Sequence, residues 1–280
     1  MMKLVRLWIN LKVQKGNNHR CMKTFIISIF IILFGIHIVS GQNLLERANA
    51  EYDKDRYADA LQLYLQVAKE EGISSDLYYN IGNTYYRMGD LGHAILYYER
   101  ALILDPQNDD ARTNLEFVNT KIQTRIVENK SFVAQEIDNL IYSQTSNTWA
   151  VISVVSFIIV IGGVLMYIFT TTIILRKIGF FGGGIMLLIS IISIAFSFVV
   201  KSKVEAGNQV ILIKPSVTLS TVPRVPKDKN EEAFILTAGN KVTVVDSVEN
   251  HVGEEHEMWY DVKADATHRA WLKRSDVEKI

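Results

Sequence analysis

Two uncharged apolar runs, Trp149–Phe169 and Ile178–Val200, each about 20 residues long, constrain this chain more than any other feature. At 1.5 Å of rise per residue such a run covers the hydrocarbon thickness of a bilayer, and a helix satisfies its own backbone there. The runs therefore predict two transmembrane helices. Thr170–Lys177 between them is long enough only for a tight hairpin. It carries Arg176 and Lys177 without an acid, which predicts a cytoplasmic loop. Lys201 and Lys203 come after the last run, but Glu205 accompanies them. An even number of spans returns the C-terminal segment to the side from which the chain entered. Gly179, Gly183, Ser190, Ser193 and Ser197 share one helical face of the last run, and Ser153, Ser156 and Gly163 form a weaker counterpart in the run before it. Such a ridge permits close helix approach: it either packs the hairpin against itself or docks another membrane protein. Neither run contains an acid, base or histidine, so a transport or proton-relay role has no residues to carry it.

A shorter run, Phe25–Val39, starts just after Lys23 and ends in Val39-Ser40-Gly41, which predicts a secretory signal over residues 22–41. Residues 1–21, with Lys3, Arg6, Lys12, Lys15, Arg20 and no acid, then read as upstream translation or an extended basic n-region. An uncleaved signal anchor is the alternative, and both readings export the chain beyond Gly41. Cys21, the one cysteine, precedes the apolar run, so it is misplaced for lipoprotein acylation and leaves no disulfide or thiolate metal site downstream. Lys+Arg and Asp+Glu number 30 each, so no global field favours nucleic acid.

Between Gln42 and Arg125 the sequence repeats with a period of 34: Ala48, Asn49, Tyr52, Ala60 and Tyr64 recur as Gly82, Asn83, Tyr86, Ala94 and Tyr98. Gly82 and Ala94 are small where two antiparallel helices nearly touch, large neighbours fill the space beside them, and Pro106 ends the second helix. Tyr78, Ile81, Tyr85 and Ala101 complete a pattern that resembles the tetratricopeptide repeat family. Two repeats are expected, at about 42–73 and 75–108, with a capping helix after them, opened by Asp109, Asp110, Ala111, Leu115 and Val118 and reaching toward 125. The first copy departs from the pattern at Glu51 and Val67 and lacks a closing proline.

The resemblance implies a concave groove lined by Asn49, Tyr52, Asp53, Tyr79, Asn80, Asn83, Tyr86 and Arg87. Asparagine amides there hold the backbone of an extended peptide, while Tyr79 and Tyr86 offer flat apolar contact. The lysines with which the family clamps a C-terminal carboxylate are missing from the matching positions. The alternative is that these residues only solvate or pack the concave side.

Residues 126–148 form a linker with a helix-compatible stretch over Phe132–Ile141. From 206 to 280 the periodicity changes to short strands, expected at Val210–Ile213, Ala233–Leu236, Lys241–Asp246, Trp259–Val262 and Arg269–Leu272, and their number and length predict a small β-barrel. Ala233-Phe234-Ile235-Leu236 before Gly239-Asn240-Lys241-Val242, then Trp259-Tyr260-Asp261-Val262 and Trp271-Leu272, resemble bacterial SH3-like domains, although Ala270 stands where a glycine is common and Lys214–Asn230 departs from the pattern. In that wider family such domains bind peptides or cell-wall peptidoglycan. Trp259, Tyr260 and Trp271 are the corresponding surface candidates, with barrel core as the alternative for each.

His251-Val252-Gly253-Glu254-Glu255-His256 has the wrong spacing for a zinc helix and reads as an acidic loop, and Gly182-Gly183-Gly184 lies inside an apolar run rather than after a strand. No nucleophile elbow, phosphate loop or paired carboxylates emerge, so no catalytic, cofactor-binding or metal-binding residue is assigned. The fold class expected is a multi-domain membrane protein: all-α tetratricopeptide repeats, a two-helix transmembrane hairpin and a small all-β SH3-like barrel. This order resembles the E-type proteins of Bacteroides aerotolerance operons. That resemblance implies a bacterial inner-membrane complex with both soluble domains periplasmic, partners among other Bat-type membrane proteins with von Willebrand type A domains and a MoxR-type ATPase, and a role in oxidative or envelope stress. The expected function is a non-enzymatic adaptor or scaffold for protein or peptide partners, without nucleic acid. A cell-wall-binding or envelope-sensing protein acting through the SH3-like domain is the alternative, and a cell-wall hydrolase lacks the residues it would need.

Overall fold

A computed structural model describes residues 39–122, 124, 131–252, 255–265 and 267–280. The signal segment expected over 22–41 lies, apart from its last three residues, outside the described residues. The chain divides into two units, residues 1–72 and 73–280.

In the first unit, helices α1 (Val39–Asp53) and α2 (Tyr57–Glu70) form an antiparallel pair. Ala48 and Ala60, both fully buried, allow the close approach, and Tyr64 and Val67 fill the space alongside. The intervening turn places Asp55 at φ +58°. Glu51, the departure from the repeat pattern, ion-pairs with Lys54 and Arg56 around this turn.

In the second unit α3 (Ser75–Arg87) and α4 (Leu91–Leu104) make the next pair, and α5 (Asp109–Asn119) covers it. Each start is capped by a side chain: Ser74 accepts from the Leu77 N–H, Asp90 from His93 and Asn108 from Ala111. Gly82 is required by packing, since a Cβ there would stand 2.7 Å from the Tyr98 ring. Asn108 also donates to the Ser75 hydroxyl, which itself donates to the Ala101 carbonyl, so the cap of α5 is tied to both helices it covers.

A short helix, α6 (Phe132–Ile141), leads through a turn into α7 (Ser146–Phe169), which packs antiparallel on α8 (Ile173–Ala206). Both are long and apolar enough to cross a membrane by length and composition. The connection is shorter than expected, because Arg176 and Lys177 fall in the first turns of α8, where Arg176 lies 5.0 Å over the Tyr167 ring. The ridge of small residues lies between these two helices. A Cβ on Gly179 would meet the Gly163 carbonyl at 2.6 Å, Ser153 and Ser190 each donate to the other's carbonyl, and Ser197 donates to that of Ser146. The large apolar side chains point outward, away from the rest of the protein.

The C-terminal segment is one antiparallel sheet of seven strands, β1 (Gln209–Leu212), β2 (Ser216–Ser220), β3 (Glu232–Thr237), β4 (Lys241–Val252), β5 (Glu255–Lys263), β6 (Arg269–Lys273) and β7 (Val277–Lys279), in the order β3-β2-β6-β5-β4-β1-β7. Val210, Leu212, Val217, Leu219, Leu236, Val242, Val262, Leu272 and Val277 gather on its inner face, so all seven strands supply one core. Sequence periodicity places five of the strands; β2 and β7 are the additions. The segment 251–256, expected as an acidic loop, instead holds the end of β4 and the start of β5, with His251 and His256 paired in register; their side chains lie outside the described residues.

Candidate functional site: the helical-repeat face and its contact with the sheet

Two of the three asparagines expected to reach toward a ligand, Asn49 and Asn83, are first of all tied within their own repeats. In the first unit the Tyr64 hydroxyl donates to Asn49 Oδ1 at 2.6 Å, and in the second the Tyr98 hydroxyl donates to Asn83 Oδ1 at 2.7 Å. The same i,i+15 pair thus recurs with the period of the sequence. Burial gives each tyrosine a hydroxyl that needs a partner, and the asparagine one helix back supplies it. Burial, as the first cause, also pushes the Tyr64 hydroxyl up to about 12. Elsewhere in the first unit, Tyr52 meets Tyr57 edge-on at 5.4 Å and Asn49 is exposed.

In the second unit Tyr79, Asn83 and Tyr86 of α3 face α5. Asn114 donates to Asn83 Oδ1 at 2.8 Å, Phe117 meets the Tyr86 ring edge-on at 6.0 Å, and the Lys121 ammonium lies 4.7 Å from the Phe117 centroid and 5.9 Å from that of Tyr86. Phe117 is 51% exposed despite its size. Asn80 is half-buried and Arg87 exposed. Asn114, Phe117 and Lys121 are not among the residues that the repeat pattern singles out. The signal available was the apolar Phe117 on a helix whose buried stripe is Ala111, Leu115 and Val118, a position that serves no core.

On the opposite side α4 packs against the sheet. Gly92 approaches the Leu212 carbonyl so closely that a Cβ would stand 2.9 Å away, and Gly239, at φ +88°, sits against Ile95 and Ile122. Arg100 donates to Glu278 Oε1 at 2.9 Å and to the Lys279 carbonyl, Lys241 pairs with Glu99 at 2.8 Å, and the Thr237 N–H donates to the Thr124 hydroxyl. His93 hydrogen-bonds Asp90 at 2.7 Å and lies 3.8 Å from Glu278, with Tyr85 stacked on its ring. The hydrogen bond to Asp90 raises the His93 pKa; Asp90 is held below the usual carboxylate range, because its hydrogen bonds from His93 outweigh its burial.

Of the aromatic residues expected on the sheet surface, Tyr260 is 8% exposed and belongs to the core. Trp259, on the other face of β5, is 3% exposed, beside Lys273. Its indole N–H meets no acceptor in hydrogen-bonding geometry among the described residues, although the Glu257 carboxylate, held down chiefly by Lys273, is near enough to feel it. Asn250, beside Glu257 in the register, donates to the Pro223 carbonyl, so the segment between β2 and β3 crosses this end of the hairpin. Trp271 alone of the three is half-exposed.

The fold and this face define a helical-repeat interaction module joined to an antiparallel sheet. Residues 75–108 match the Tetratricopeptide repeat family, whose repeats are typically non-catalytic interaction modules. No curated protein matches the chain.

Proposed function

We propose that the protein is a non-enzymatic, membrane-anchored adaptor that holds an extended segment of a protein partner on the α3–α5 face. The observation that carries this reading is Tyr86 and Phe117 meeting as an accessible aromatic pair with Lys121 above them, on a matched interaction repeat. The pair takes an apolar side chain of the partner, and Lys121 favours an acidic neighbour beside it. Anchoring is supported by the α7–α8 hairpin, which turns its large apolar side chains outward and its small ones inward. The signal-like segment and the basic start of α8 favour export of both water-soluble parts. Partners among Bat-type membrane proteins, an inner-membrane location and an aerotolerance role rest on the resemblance of the whole arrangement.

The test is crosslinking and affinity purification from membranes, comparing the wild type with Tyr86→Ala/Phe117→Ala and with Lys121→Glu. Loss of the same specific partners from both variants places recognition on this face; an unchanged set removes it from there. Binding to cell wall through the sheet would rest on Trp271, and retention on purified cell wall that Trp271→Ala abolishes would favour it.

A further inference from the structure

Helix α6 carries an apolar stripe that none of the described residues covers. Val133, Ile137 and Leu140 stand at i, i+4 and i+7, hence on one face, and are 66%, 51% and 54% exposed. Gln135 and Asn139 lie on the opposite side, and Glu136 flanks the stripe beside Leu140. A ten-residue helix with that much apolar surface in water is at odds with the hydrophobic effect unless something covers it.

The place of α6 in the fold says what does. The Trp149 indole N–H, at the start of α7, donates to the Ile141 carbonyl at 2.9 Å, and Lys203 of α8 lies 3.8 Å from the Tyr142 ring centroid. Ser146 bonds to Ser197 across the hairpin, and Lys203 is six residues further along α8, so the end of α6 lies about 9 Å beyond that level. There the outward apolar surface of the hairpin gives way to Lys201, Lys203 and Glu205. Tryptophan, tyrosine and lysine at such a level are the side chains that prefer the boundary between acyl chains and headgroups. The stripe on α6 therefore continues the apolar surface of the hairpin at its edge.

We infer that α6 is an interfacial helix: it lies on the lipid surface with Val133, Ile137 and Leu140 sunk among the upper acyl segments, Gln135 and Asn139 toward water, and Glu136 at the edge of the stripe. The inference rests on the membrane reading of α7 and α8. A depth of about 5–10 Å is what such a face reaches.

The experiment uses the full chain with Cys21→Ser, carrying a single cysteine at Ile137, Gln135 or Phe157, labelled with an environment-sensitive fluorophore and reconstituted into phosphatidylethanolamine–phosphatidylglycerol vesicles. The Ile137 label is expected to shift to the blue and to lose most of its emission to nitroxide placed high in the acyl chains. The Gln135 label should instead be quenched by iodide from water, and the Phe157 label by nitroxide near the bilayer centre. An Ile137 label open to iodide, with Phe157 still quenched by deep nitroxide, overturns the role of α6 and leaves the hairpin in place. An Ile137 label shielded from both quenchers overturns it in favour of a protein contact. Failure of the Phe157 label to meet lipid overturns the membrane reading and the inference together.

Discussion

The paired Asn83 and Tyr98 show why a residue type can sit in a groove without being there for a ligand. The Asn83 oxygen accepts from both Tyr98 and Asn114, which leaves only its amide nitrogen to a partner, so its first duty is to fix the helix pair. Tyr98→Phe removes one of these bonds while Asn114 still serves the acceptor, and about 1 kcal/mol of stability should be lost. Gly82→Ala, which drives a methyl into the Tyr98 ring, should cost about 1–3 kcal/mol despite the better helix propensity of alanine. Denaturant titration of the full chain in detergent measures both, and an order opposite to this one would contradict the packing of Gly82 on Tyr98. His93 adds a dependence on pH. Its pKa is raised in the folded state, first by the bond to Asp90, so its charged form contributes stability that is complete below the unfolded value of about 6.5 and is lost as the pH rises through the folded value. The melting temperature of the wild type should therefore exceed that of His93→Gln by more at pH 6 than at pH 8.5; an equal gap at the two would remove the charge from the argument.

At the scale of elements, the hairpin is held by shape more than by its serine bonds. Gly179 has a carbonyl where its Cβ would be, so Gly179→Leu must force α7 and α8 apart, whereas Ser153→Ala removes hydrogen bonds worth on the order of 0.6 kcal/mol between such helices. With spin labels at the outward positions Val155 and Ile189, electron–electron distance measurement should show a longer and broader separation in Gly179→Leu and an unchanged one in Ser153→Ala. These elements were also the most legible in the sequence. Uninterrupted apolar length located the apolar middles of α7 and α8, although α8 runs five to six residues past the expected span at each end, and the recurring small and aromatic positions located α1 to α4, because each signal spans many residues. The ends were less legible: Arg176 and Lys177 have the character of loop residues, but a helix can extend through them past the apolar run. Strands β2 and β7 escaped because Ser216–Ser220 is short and polar at its ends, and Val277–Lys279 is only three residues long. The candidate site was half legible. Tyr79, Asn83 and Tyr86 came from the repeat, but Phe117 and Lys121 join them only through the packing of α5, while strand alternation turned Tyr260 into the core and left Trp259 on the opposite face, buried beside Lys273.

For the second unit as a whole, the decisive contact joins parts that are far apart in the chain. Residues around 92–124 meet 212–239 and 278–279 although the whole α7–α8 hairpin intervenes, and a bilayer crossed an odd number of times would hold these surfaces apart. The contact is selective, because it requires glycine twice: Gly239 needs both its positive φ and the space beside Ile95 and Ile122, and Gly92 needs its bare Cα over the Leu212 carbonyl. Thr124 and Thr237, whose hydroxyls are 2.9 Å apart, give a direct probe. In Cys21→Ser membranes a Thr124→Cys/Thr237→Cys pair should oxidise to a crosslink within one chain. Adding Gly239→Val should abolish it, since a β-branched residue is strained at that φ and overlaps two isoleucines, while Arg100→Ala, which removes one rim ion pair and a bond to the Lys279 carbonyl, should only slow it. A crosslink that survives Gly239→Val would mean that the two surfaces meet without the glycine fit. A pair that never crosslinks, in membranes where each single cysteine is reached by a water-soluble maleimide from the opposite side to the other, would mean that the repeat and the sheet occupy different compartments, and the adaptor would then have to act with its two halves separated by the bilayer.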